Sequence, residues 1–177
     1  DSESGIMIWA EEPGRIENVT FGHVRLHVRK GPLSASYGGN IDLRPAFDPK
    51  LAIFRHDLAA IFCHGANGLA LNQIDVRWDA EPPEYYSHAI WCEQTNRVVV
   101  DGFCGRQPGS GDRSAAIMLD SVRGVIVRNS QAAEGTTTFL RHRGVTEAGL
   151  FGNNDVTKAV TAIDPVPSPF ASPAQRR

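Results

Sequence analysis

Absences narrow the reading first. The 177 residues hold three cysteines, Cys63, Cys92 and Cys104, with none of the close pairs that zinc sites use, so a Cys-rich metal centre or a disulfide framework is not expected. Lysine is scarce: fifteen of the eighteen basic residues are arginine, they are scattered, and the formal charge is −2. That composition offers no basic field for nucleic acid and no acidic tail. No apolar run approaches the roughly 18 residues of a membrane span, so no membrane partner is expected. Asp1-Ser2-Glu3-Ser4-Gly5 does not read as a signal peptide. Neither a Gly-rich phosphate loop nor a nucleophile elbow occurs, and no cofactor is expected.

What is present is a repeat. Ala60-Ile61-Phe62-Cys63-His64, Ala89-Ile90-Trp91-Cys92-Glu93 and Ala116-Ile117-Met118-Leu119-Asp120 share one pattern. Each is followed, after a polar break, by a second apolar run: Leu69-Ala70-Leu71, Val98-Val99-Val100 and Val125-Ile126-Val127. Both runs recur at the same two steps, 29 and then 27 residues. Self-similarity at this period marks a stacked architecture. Two short β runs per unit, with no helical pattern between them, point to an all-β parallel β-helix.

Along the chain, Ile6 to Trp9 reads as a short apolar strand. Residues 16–28 read as an earlier copy of the second strand, about two repeats upstream, with Val19, Phe21 and Val24 in register with Leu69, Leu71 and Ile74 and with Val98, Val100 and Phe103. Residues 31–50 break the rhythm as a long loop, and such excursions often form a binding face. Thr138-Phe139-Leu140-Arg141-His142 is the last recognisable copy, placing Phe139 opposite Ile117. The organisation expected is therefore repeats over residues 1–160, with the loop at 31–50, then a Pro-rich disordered tail at 161–177.

Strand parity then sorts the side chains, since residues i and i+2 share a face. With Ile61/Cys63, Ile90/Cys92 and Ile117/Leu119 inward, two columns point outward: Phe62, Trp91, Met118, Leu140, and His64, Glu93, Asp120, His142. Cys63 and Cys92 fall at equivalent points of adjacent strands, where a buried thiol ladder is favoured over a disulfide. Aromatic faces beside carboxylates suit sugar rings, and a carboxylate pair is what glycoside hydrolysis requires. Glu93 and Asp120 are thus the candidate catalytic pair. Phe62, His64, Trp91 and His142 are candidate substrate contacts, with Asn40, Asp42 and Arg44 from the long loop and Tyr86 from a cleft wall shared with Tyr85 and His88. The same columns also fit a solvated face, or an aromatic stripe packed beneath the loop. His64, Glu93 and Asp120 could hold a divalent ion, but their spacing belongs to the fold and no metal site is assigned.

Ile16-Glu17-Asn18-Val19-Thr20-Phe21, Asn40-Ile41-Asp42-Leu43-Arg44-Pro45, His88-Ala89-Ile90-Trp91-Cys92-Glu93 and Gly124-Val125-Ile126-Val127-Arg128-Asn129 together resemble the C-terminal repeats of bacterial polygalacturonase-like family 28 glycoside hydrolases. The resemblance covers roughly residues 5 to 145. It implies a right-handed single-stranded parallel β-helix of the pectin-lyase-like kind, a polysaccharide or oligosaccharide partner, a secreted or periplasmic setting, and a piece of a hydrolase whose catalytic repeats precede residue 1. The family's Asp-Asp, Gly-His-Gly and Arg-x-Lys motifs are absent; Cys63-His64-Gly65 comes nearest to the second. No family catalytic residue carries over. Two functions are expected to compete: the C-terminal part of a pectin-active glycoside hydrolase, and a non-catalytic polysaccharide-binding or structural module.

Overall fold

The computed structural model describes residues 2–32, 58–109, 111, 113–145 and 149–166. The strands are β1 (Ile6–Trp9), β2 (Glu17–Val28), β3 (Leu58–His64), β4 (Asn67–Trp78), β5 (Tyr86–Glu93), β6 (Asn96–Asp101), β7 (Cys104–Gly105), β8 (Ala115–Asp120), β9 (Arg123–Arg128), β10 (Gln131–Ala132), β11 (Thr136–Arg143), β12 (Leu150–Gly152) and β13 (Ala159–Pro165). They form two sheets with every pairing parallel. The first sheet runs β1-β3-β5-β8-β11-β13. The second runs β10-β7-β4-β6-β9-β12, with β2 also paired to β4. The protein is all-β, as the repeat predicts.

Each return of the chain to the first sheet lands beside its previous visit. Ile6, Ile61, Ile90, Ile117, Leu140 and Ile163 therefore stack in one row of register partners. Parity alone is too simple at the start of this row. The alanine before each isoleucine, at Ala60, Ala89 and Ala116, also belongs to the interior cluster. Two consecutive residues thus face inward, and in β3, β5 and β8 only one of each pair is large. In the second sheet, Val19, Leu69 and Val98 pair in register, as do Phe21, Leu71 and Val100, as predicted. β2 nevertheless lies directly beside β4, one repeat upstream and not two, because residues 29–57 are inserted within a single repeat.

The same interior explains the thiols. Cys63 and Cys92 are register partners, fully buried and free. Burial pushes the Cys92 thiol well up, and Cys63 beside it adds to the shift. Both stay protonated and act as small apolar fillers.

Two expectations shift at the C-terminal end. The first sheet continues through β13, so a strand with Thr138, Leu140 and His142 as partners occupies residues 159–165, which run into the segment expected to be tail. In β11 the alignment moves by one residue: Leu140 pairs with Ile117, Arg141 with Met118, His142 with Leu119 and Arg143 with Asp120. Phe139 consequently takes the alanine place, fully buried between Phe103 at 6.1 Å and Phe151 at 6.2 Å.

Candidate functional site

The first sheet presents an outer ladder of Trp9, His64, Glu93, Asp120 and Arg143, one residue per strand in unbroken register. Strand endings fix it there. Gly65, Gln94, Ser121 and Gly144 follow the last four members, all with positive φ, which turns the chain sharply toward the second sheet. Their backbone bonds repeat from strand to strand. Ala10 N–H donates to His64 O at 3.0 Å, Gly65 to Glu93 at 3.1 Å, Gln94 to Asp120 at 2.9 Å and Ser121 to Arg143 at 2.8 Å. The ladder is therefore held by main chain at every step.

Its side chains interact in pairs. The rings of Trp9 and His64 stack 4.2 Å apart and 13° from parallel. His64 Nδ1 meets Glu93 Oε2 at 2.9 Å, and since a carboxylate only accepts, the proton sits on Nδ1. Asp120 is 8 % exposed and accepts from the Ser121 hydroxyl at 3.0 Å and from the Arg143 guanidinium. That bond, with Glu93 close by, holds Arg143 above its usual pKa despite partial burial. Glu93 and Asp120 are adjacent register partners, as predicted; Glu93 accepts from His64 Nδ1, and Asp120 is paired with the Arg143 guanidinium.

Beside this ladder run Met7, Phe62, Trp91, Met118, Arg141 and Asp164. Phe62 meets Trp91 edge-on at 5.2 Å, and both Phe62 and Met118 are buried. Phe62 thus offers no open ring to a ligand; Trp91 is half-buried, its Nε1 without a hydrogen-bond partner among the described residues. The column ends in an ion pair, Arg141 Nη2 to Asp164 Oδ2 at 2.7 Å. His88, next to Trp91 at 5.4 Å, accepts a hydrogen bond on Nδ1 from the Ala115 N–H at 3.1 Å. Burial lowers its pKa to about 4, partly offset by the Ala115 carbonyl oxygen 3.3 Å from Nδ1 and reinforced by the charge of Arg141.

Four expected positions need correction. His142 faces inward, lining a small apolar hollow of about 210 Å³ with Leu119, Val127 and Phe151, and Arg143 takes the outer place instead. Leu140 likewise faces the interior and leaves its outer position to Arg141. Met118 stays in the outer column but is closed off. Tyr86 belongs to the interior cluster, against Trp78 at 5.3 Å and Tyr85 at 4.9 Å. It opens β5 while Glu93 closes it, which separates them by roughly 23 Å at about 3.3 Å per residue. Its visible edge lines a different groove, of about 680 Å³, with Pro83, Glu84, Pro108 and Arg113. Asn40, Asp42 and Arg44 lie outside the described residues.

Reading the sequence missed Trp9 and Arg143. The apolar run Ile6-Met7-Ile8-Trp9 matches the inward isoleucine and outward bulky residue of the later copies, and that was the available signal for Trp9. Arg143 follows once Phe139 is aligned with alanine. Among the described residues no three His, Cys, Asp or Glu side chains gather as a metal site would require. No family model, curated protein or solved structure matches the chain.

Proposed function

We propose that the chain is a right-handed single-stranded parallel β-helix that binds pectin-like polysaccharide or oligosaccharide along the ladder from Trp9 to Arg143. The observation that carries this reading is the ladder's regularity. Five adjacent strands, about 4.8 Å apart, each contribute one aromatic, acidic or basic group to a single row. A sugar ring has an apolar face and a rim of hydroxyls. Trp9 suits the first, and the partly exposed Glu93 and Arg143 suit the second. Cationic Arg143 also matches a uronate carboxylate through charge-assisted hydrogen bonds.

The adjacency of Glu93 and Asp120 supports a second reading, the C-terminal part of a glycoside hydrolase with one carboxyl as acid and the other as base or nucleophile. One feature favours binding over turnover. Asp120 is engaged by the Arg143 guanidinium and Glu93 already accepts from His64 Nδ1, whereas a general acid must hold a proton. Their strands stand about 4.8 Å apart, nearer the roughly 5–5.5 Å between carboxyls of a retaining pair than the roughly 6.5–9.5 Å of an inverting one, so turnover by this pair would proceed with retention.

Calorimetric titration with oligogalacturonides, paired with a reducing-sugar assay on polygalacturonate, separates the readings. Saturable binding without turnover supports the binding module. Turnover abolished by Glu93→Gln and by Asp120→Asn establishes the hydrolase, and neither binding nor turnover removes both.

A further inference from the structure

We infer that His64 reads a ligand hydroxyl: Glu93 holds the imidazole proton on Nδ1, and the Nε2 lone pair accepts a hydrogen bond from a hydroxyl of the bound sugar. This role rests on the carbohydrate-binding reading of the ladder and makes Glu93 a positioning residue for His64. Two contacts fix the imidazole. Its ring stacks on Trp9 at 4.2 Å and 13° from parallel, which sets the ring plane. Its Nδ1 meets Glu93 Oε2 at 2.9 Å, which decides the nitrogen that faces the carboxylate. The charge of Arg143 lies close enough to Glu93 to favour the carboxylate, so Glu93 remains the acceptor and Nδ1 the donor. Flipping the ring in its own plane would keep the stack and lose the bond to Glu93.

The other nitrogen is left open. A neutral imidazole with its proton on Nδ1 carries a lone pair on Nε2 and is an acceptor there. Among the described residues no group hydrogen-bonds to Nε2. Nor is that atom sealed from solvent. The buried side-chain nitrogens and oxygens that lack a partner among these residues are Tyr86 Oη, Trp91 Nε1 and Thr137 Oγ1, and the His64 side chain is 13 % exposed. His64 therefore offers a ligand one polar atom, an acceptor on a ring held by two neighbours. A sugar hydroxyl can donate to it, whereas a carboxylate or an ether oxygen cannot. Arg143 is the reverse, a donor only, and stands three strands further along the ladder, about 14 Å away. The ladder thus reads a free hydroxyl at His64 and a carboxylate at Arg143.

Nitrogen NMR of the imidazole rings tests this on the isotope-labelled intact chain in mildly alkaline buffer, the His64 signals being assigned by their absence from His64→Phe. The free chain is expected to show Nδ1 protonated and Nε2 bare. Titration with oligogalacturonide is expected to move the Nε2 signal upfield, as a hydrogen bond to a lone pair does. Glu93→Gln, whose amide oxygen still accepts from Nδ1, is expected to keep this tautomer in the free chain, and Glu93→Leu to mix the two tautomers. His64→Phe keeps an aromatic ring against Trp9 and is expected to preserve the near-ultraviolet circular dichroism. Its affinity is expected to fall by about five- to tenfold, the loss of one hydrogen bond to the ligand. A protonated Nε2 in the free chain, an Nε2 signal unmoved at saturation, or native affinity in His64→Phe would overturn the assignment alone. Absence of saturable binding beside the expected tautomer would instead overturn the carbohydrate reading, and the hydroxyl contact with it.

Discussion

β3, β5 and β8 on one side and β11 on the other occupy equivalent places in the first sheet and fill them with different chemistry. The earlier three pair a small alanine with isoleucine inward and carry bulky apolar groups, an imidazole or carboxylates outward. β11 has Phe139 and Leu140 inward, with Arg141 and Arg143 outward. The later strand thus supplies both the volume that fills the interior's end and the cations that neutralise Asp120 and Asp164. One backbone position can serve core or charge, and what its neighbours lack decides which.

The largest effect should come from Phe139→Ala, which removes the ring packed between Phe103 and Phe151 and is expected to cost about 3–5 kcal/mol in urea unfolding. A loss below about 1 kcal/mol, as for a surface residue, would contradict the burial of Phe139 between the two rings.

Second is the acid sensitivity that β5 carries through His88. Its folded pKa near 4 lies below the roughly 6.5 of the unfolded chain, so the unfolded state binds more protons between those values. The stabilisation is complete above about pH 6.5 and lost as pH falls toward 4, a change of about 3 kcal/mol. Denaturation measured across that window should be flatter by most of this amount in His88→Asn. An unchanged profile would mean that the imidazole is not desolvated.

Much of the outer site was legible from period two alone. His64, Glu93 and Asp120 fall in one row because three repeats share length and chemistry between isoleucine and ionisable residue. The reading slipped at β11 because Phe139 looks like the large apolar member of the pair while it stands where alanine was. Once shifted, Arg141 and Arg143 were hidden behind Leu140 and His142. Trp9 was obscured for a different reason: β1 has four residues, too few to show a period. β13 was masked by Pro165 and the prolines beyond it, although pairing to β11 outweighs composition there. The loop positions Asn40, Asp42 and Arg44 carry no repeat from which a location could be read.

Arg143→Ala strips Asp120 of its cation. Breaking a fully buried pair costs about 3–5 kcal/mol, but Arg143 is about a third exposed, so roughly 2 kcal/mol is expected. The second sheet supplies the smallest effect and a control. Arg128 donates to Asp101 at 2.8 Å in an exposed pair, and Arg128→Ala should cost no more than about 1 kcal/mol. Equal losses for the two arginines would erase the distinction between a partly buried ladder and a solvated one.

The most direct measurement of the central claim is tryptophan fluorescence during titration with oligogalacturonides, comparing the native chain with Trp9→Phe and Arg143→Ala. A saturable change in the native chain that shrinks in Trp9→Phe, and whose midpoint moves to higher ligand in Arg143→Ala, is the predicted result. No saturable change in the native chain, or identical curves for all three proteins, would contradict a carbohydrate-binding role for the ladder.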